Sequence, residues 1–232
     1  MGGALSFEVV ATYPHDPSAF TQGLEVHDGV LYESVGQYGE SERRIVDLAT
    51  GTVLAKASLP DDAFGEGLTV VGDELYQLTW QNGVVFVADR STLDEKRALA
   101  LDTEGWGLCF NGALLVTSDG SSTLRFRQPA DLQTIHSVTV TINGAELDNL
   151  NELECVGDVV FANVYQTSSI VMIDQASGTV TATLDLAALV PDVVGDAAND
   201  VLNGIAYRAE TDTFLVTGKR WDTVYELRLA SA

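Results

Sequence analysis

The sequence predicts an all-β fold, a five-bladed β-propeller, from three observations. One hairpin pattern recurs five times, its copies beginning at Gly23, Gly67, Gly107, Glu152 and Gly204. The spacings are 44, 40, 45 and 52 residues, close to the length of a four-stranded propeller blade. The last copy is one strand short, while the N-terminus carries one strand too many.

That surplus strand, "SFEVVATYP", comes first and can complete the final blade, which removes the open sheet edges that invite aggregation. The hairpins follow in order: "GLEVHDGVLYESV", "GLTVVGDELYQLTW", "GLCFNGALLVTSD", "ELECVGDVVFANVY" and "GIAYRAETDTFLVTGK". Each alternates apolar and polar residues around a turn of Asp, Gly, Asn or Thr, the signature of two antiparallel strands. After the first four a third strand appears, as in "RRIVDLATGTVLAKASL" and "SIVMIDQASGTVTATLDL", and then a fourth; the fifth copy stops at "TVYELRLA". A β-sandwich has no reason to repeat one hairpin at near-constant spacing. Helix is expected only around "ELDNLNELE" or in "LDLAALVPDVVGDAANDVLN", where the longest spacing has its extra residues.

A chain of 232 residues, 46% of them hydrophobic, buries a sizeable core, and residues 1–232 read as one propeller domain and a monomer. A net charge of −22 argues against nucleic acid and anionic membranes, both of which need a basic face. With 34 acidic residues against 12 basic ones, the composition resembles that of proteins kept soluble at high salt. No stretch has the roughly 20 apolar residues of a membrane span, and "MGGALSFEVV" does not read as a signal peptide. An extracytoplasmic location, periplasmic or secreted, would then require a leader outside this sequence. Cys109 and Cys155 lie in apolar strands and read as free, buried thiols.

In a propeller the first strand of each blade lines the central channel and the second returns, so the start of one and the end of the other share a face. Strand-one starts carry Gln22, Glu66, Trp106, Asn151 and Asn203; strand-two ends carry Tyr38, Trp80, Asp119, Tyr165 and Lys219. Each residue also has a structural reading: the tryptophans as blade packing, the lysine as a snorkelling chain, the asparagines as turn caps. Their coincidence at one phase of the repeat favours a site, centred on Glu66 between Gly65 and Gly67.

The segments "FTQGL" (20 to 24), "FGEGLT" (64 to 69), "EGWGL" (104 to 108), "LNELE" (150 to 154), "ANVYQTSSIVMID" (162 to 174), "LNGIAY" (202 to 207) and "FLVTGKRW" (214 to 221) together resemble the plant and bacterial type of glutaminyl-peptide cyclotransferase. The resemblance implies a five-bladed propeller that converts N-terminal glutamine of peptides and proteins to pyroglutamate with release of ammonia, without a cofactor or catalytic metal. It carries the family's active-site glutamate onto Glu66 and its lysine onto Lys219. Its substrate-contacting residues fall on Phe20, Gln22, Trp80, Trp106 and Asn151. Tyr165 stands where the family usually has tryptophan, a departure expected to alter affinity more than activity.

The implied chemistry suits these residue types. The substrate's α-amine attacks its own γ-carboxamide, so aromatic walls that fold the side chain into a near-attack shape lower the barrier. A glutamate can carry the proton from the amine to the departing ammonia, and a lysine or amide can steady the oxyanion. Two other classes remain open on the residues alone. A lactonase-like propeller would use Glu66, Asn151 and Asn203 as metal ligands, and activity surviving chelation would exclude it. A non-catalytic peptide-binding propeller would release no ammonia.

Overall fold

The computed structural model describes residues 3–191, 195–196 and 198–231, and the regular elements among them are strands with one short 3-10 turn. Strand β1 (Gly3–Pro14) precedes three four-stranded antiparallel sheets. The first is β2 (Thr21–His27), β3 (Val30–Val35), β4 (Glu42–Asp47) and β5 (Thr52–Ser58); the second is β6 (Gly65–Val71), β7 (Glu74–Thr79), β8 (Val84–Asp89) and β9 (Glu95–Ala100). The third is β10 (Leu108–Phe110), β11 (Leu115–Thr117), β12 (Thr123–Arg127) and β13 (Thr134–Thr139), followed by the small hairpin β14 (Thr141–Ile142) and β15 (Ala145–Glu146). Then come β16 (Leu150–Val156), β17 (Val159–Val164), β18 (Ser169–Asp174) and β19 (Val180–Asp185), and finally β20 (Leu202–Arg208), β21 (Thr213–Gly218) and β22 (Thr223–Ser231).

Strand β1 runs antiparallel to β22, from Leu5 opposite Ser231 to Pro14 opposite Thr223, with Phe7 facing Leu229. It also meets β19 in parallel, from Gly3 opposite Ala182 to Leu5 opposite Leu184. The result is one eight-stranded sheet in the order β16-β17-β18-β19-β1-β22-β21-β20.

Burial falls from the first strand of a sheet to the last. Strands β2, β6, β16 and β20 open with four or more buried residues, whereas β5 and β9 alternate exposed and half-buried ones. The hairpin turns follow local chemistry: Asp28 and Gly29 both hold positive φ, 50° and 76°, as a two-residue type I′ turn requires. At the other end of the same strands, backbones nearly touch. A Cβ on Gly67 would lie 2.6 Å from the amide nitrogen of Leu108, and one on Gly23 equally close to that of Leu68. Only glycine lets β2, β6 and β10 converge this tightly.

Beside those glycines each ladder slips. Gly65 pairs with Thr79 and Leu68 with Gln77, leaving Glu66 and Gly67 opposite Leu78 alone. Equivalent slips fall at Gln22 on β2, at Asn151 and Glu152 on β16, and at Asn203 and Gly204 on β20. Such bulges re-aim a side chain out of its strand's normal alternation.

Two expectations are corrected. Cys109 and Cys155 are joined in a disulfide, their Cα atoms 5.5 Å apart, because β10 and β16 are adjacent first strands that share one apolar cluster. The segment "ELDNLNELE" is not helical: it holds the end of β15 and most of β16. In "LDLAALVPDVVGDAANDVLN" the described residues form a single 3-10 turn, Ala187–Leu189, between the ends of β19 and β20; residues 192–194 and 197 lie outside the described set.

Candidate active site

Three residues at the slipped registers, Gln22, Glu66 and Asn151, line one cavity of about 390 Å³, within the range of small-molecule sites. Phe20, Gln22, Glu66, Trp80, Trp106, Asn151, Tyr165 and Lys219 all line it. Three other residues of the same phase take different places. Asn203 lies just behind the wall, Tyr38 stands 52% exposed beside Phe64, and Asp119 turns away to pair with Arg125 and Ser121.

Glu66 is buried, and its Oε1 accepts a hydrogen bond of 2.8 Å from Nε2 of Gln22. The orientation of that amide is set from behind: Asn203 Nδ2 donates to Gln22 Oε1 at 3.2 Å and to the Thr21 carbonyl at 2.9 Å. Burial pushes the Glu66 carboxyl well above the ordinary range, against the opposing charge of Lys219 and the bond from Gln22. A carboxyl whose proton affinity is raised in this way is suited to proton transfer within the cavity.

Lys219 is buried with its Nζ 4.7 Å from the ring centre of Phe20 and 5.0 Å from that of Tyr165. Burial lowers its pKa to about 8, although the charges of Glu66 and Asp200 resist the shift. The two rings supply cation–π attraction where water is excluded. Asn151 lines the cavity, and its Oδ1 is buried without a hydrogen-bond partner among the described residues.

The walls are aromatic on two sides. Phe64 stands edge-to-face with Phe20 at 6.1 Å and with Trp80 at 5.8 Å, and Trp106 meets Tyr165 edge-to-face at 5.6 Å. Phe64, Gln37, Asp196, Asn199 and Arg220 also line the cavity and were not among the residues expected. Phe64 had a readable signal, since "FTQGL" and "FGEGL" place Phe20 and Phe64 at the same phase. Arg220 had none: it packs over Phe20 at 4.9 Å and pairs with buried Asp200 at 2.9 Å across 20 residues of sequence. Trp221, the third tryptophan, belongs to the core and donates its Nε1–H to the Asp200 carbonyl.

Comparison with known proteins bears on this arrangement. The profile of the glutamine cyclotransferase family matches residues 3–229. A glutaminyl-peptide cyclotransferase of Arabidopsis thaliana is 39% identical over 229 residues, covering 97% of this chain and 72% of that protein. The crystal structure of Myxococcus xanthus glutaminyl cyclase superposes with a TM-score of 0.94 at 34% identity, over 100% of both chains. Kuenenia stuttgartiensis hydrazine synthase is 16% identical with a TM-score of 0.53, over 89% of this chain and 57% of that one, a likeness of fold alone. With the family profile spanning nearly the whole sequence and two relatives alike across it, this chain belongs to the glutamine cyclotransferase family.

Proposed function

We propose that the chain cyclises the N-terminal glutamine of peptides and proteins to pyroglutamate, releasing ammonia. The observation that carries this reading is a buried glutamate with a raised proton affinity, bonded to Gln22 and facing Lys219 inside an aromatic cavity. The relatives named above support it.

The glutamine side chain enters between Trp80, Trp106 and Tyr165, which fold it so that its α-nitrogen lies against its own γ-carbonyl carbon. The amine reacts in its neutral form, accessible near its ordinary pKa of about 7.7 to 8.0. As the new C–N bond forms, the carbonyl oxygen takes up negative charge, and Lys219 stabilises it while it remains an ammonium. Glu66 accepts the proton shed by the attacking nitrogen and delivers it to the leaving nitrogen. The old C–N bond then breaks and ammonia departs, leaving the lactam. Asn151, which lines the same cavity, adds a polar amide to the wall against which the carboxamide is held.

The same reading includes a single five-bladed propeller domain over residues 1–232, monomeric in solution. Supporting it are the four-stranded sheets and the β1–β22 pairing, which supplies a fourth strand to β20–β22 and joins the chain's two ends. It also includes an oxidising, extracytoplasmic compartment, where a disulfide such as Cys109–Cys155 persists. Sedimentation equilibrium tests the monomer, and alkylation of thiols in the source cells before lysis tests the compartment; a dimer or alkylated cysteines would count against them.

The deciding experiment incubates the protein with a Gln-initiated dipeptide and its Asn-initiated analogue, following ammonia and peptide mass. Release of one ammonia per molecule from the glutamine peptide alone is expected. Ammonia from neither, with unchanged mass, overturns the reading.

A further inference from the structure

We propose that Glu104 is a positioning residue that clamps Trp80 and Trp106 into one wall by accepting both indole N–H groups on a single carboxylate oxygen. Its Oε2 lies 2.9 Å from Trp80 Nε1 and 3.1 Å from Trp106 Nε1, and its Oε1 accepts from Gln81 Nε2 at 3.0 Å. The two tryptophans come from different sheets, one just past β7 and the other just before β10. Trp80 packs against Phe64 and Trp106 against Tyr165, so each ring has its own neighbour, and Glu104 is an acceptor that both share. An indole has one donor and no acceptor, so a shared acceptor is the simplest device that sets both rings at once.

The backbone holds the clamp in place. Glu104 precedes Gly105, whose N–H donates to the Trp80 carbonyl at 3.0 Å and the Thr79 carbonyl at 3.2 Å, tying the loop to the end of β7. A Cβ on Gly105 would lie 2.6 Å from the Thr79 oxygen, so this approach requires glycine. Gly120 plays the matching part beneath Trp106, where a Cβ would meet the indole at 2.7 Å. Trp106 is thus seated on a backbone surface, and Glu104 supplies the bond that stops it rotating there. The carboxylate also adds negative charge near Glu66, which raises that group's proton affinity further.

The kinetic consequence rests on the cyclisation reading; the geometric one does not. The test therefore has two arms, on the full chain. In the first, indole N–H resonances of the three tryptophans, assigned with single Trp→Phe variants, are compared between wild type, Glu104→Ala and Glu104→Gln. In Glu104→Ala the Trp80 and Trp106 signals are expected to move toward those of solvent-bonded indoles, with Trp221 unmoved, and Glu104→Gln, which keeps one acceptor oxygen, should stay near wild type. Trp80 and Trp106 signals unmoved in the alanine variant overturn the proposal, whatever the activity. In the second arm, misplacement of the wall should lower kcat/KM in Glu104→Ala by about 10- to 100-fold, as displacements of about 1 Å do, with recovery in Glu104→Gln. Moved signals with wild-type kcat/KM refute the positioning role. If Glu104→Ala does not fold, Glu104→Gln against Glu104→Lys, which has no acceptor, makes the same comparison.

Discussion

Glu66 on β6 and Glu152 on β16 are both buried glutamates of first strands, each beside a slipped register, and burial raises the proton affinity of both well above the ordinary carboxyl range. Their surroundings differ. Both oxygens of Glu152 are occupied by backbone donors: Oε1 accepts from Leu24 N–H at 3.2 Å and Oε2 from Ile205 N–H at 2.8 Å. It sits where the other hairpins have glycine and ties β16 to β2 and β20. Glu66 accepts one bond, from the side-chain amide of Gln22, and lines the cavity. A carboxylate held by fixed donors on both oxygens is a structural pin, while one with a free side can exchange protons. Burial and a raised pKa are common to both and do not distinguish them.

The comparison breaks most readily at Glu66. Glu66→Gln keeps shape and hydrogen bonding but removes the exchangeable proton, so kcat should fall by about 10² to 10⁴ with the thermal midpoint little changed. A variant with near-normal kcat would reduce Glu66 to an anchor for the substrate amine. Glu152→Gln should do the opposite. One backbone N–H loses its acceptor, costing about 1 to 3 kcal/mol in urea unfolding, while kcat of the folded fraction stays within a few-fold of wild type.

The sign of the pH dependence sharpens the Glu152 case. Its folded pKa lies above its unfolded value, so its contribution is fully present below the ordinary carboxyl range and is lost as pH rises through the folded pKa. The stability gap between wild type and Glu152→Gln should therefore narrow as pH rises from the ordinary carboxyl range toward neutrality, and a widening gap would contradict the raised pKa. For Lys219, with a pKa of about 8, kcat/KM should decline on the alkaline side near that pH, and Lys219→Arg should move the decline upward because a guanidinium stays charged. An unmoved alkaline limb would assign it to another group. The smallest effect is expected for Tyr165→Trp: a few-fold change in KM with kcat nearly constant, since a wall acts alike on ground and transition states. A large change in kcat alone would show that this position shapes the reactive conformation.

Much of the fold and site is legible because hairpins announce themselves locally. "HDGV" and "VGDE" dictate turns, alternation dictates strands, and a repeated phase collects Gln22, Glu66 and Asn151 from the order of residues alone. What is illegible depends on approach between sheets. The 46-residue separation of Cys109 and Cys155 says nothing about pairing until β10 and β16 lie side by side. "ELDNLNELE" misleads because Leu147, Leu150 and Leu153 repeat at a helical interval. The interval arises instead from a left-handed residue, Asn149 at φ 66°, and from the slip at Asn151 and Glu152, which displaces the strand's alternation by one residue. Glu104 shows no signal of its own, since an acidic loop residue two positions before a tryptophan looks solvated until its partner from another sheet arrives.

The pin at Glu152 has a topological consequence. It bonds to Leu24, two residues deeper along β2 than the cavity-lining Gln22, and with Asn163 and Asn203 it is wholly shielded from solvent. Behind Gln22, these three side chains form a dry polar layer. On the proposed activity, a glutamine in the middle of a chain would need two lengths of polypeptide to fit beside the aromatic walls, so selection for chain ends is steric before any amine is recognised. The lactam must likewise leave past those walls, and each turnover ends only when it has cleared them.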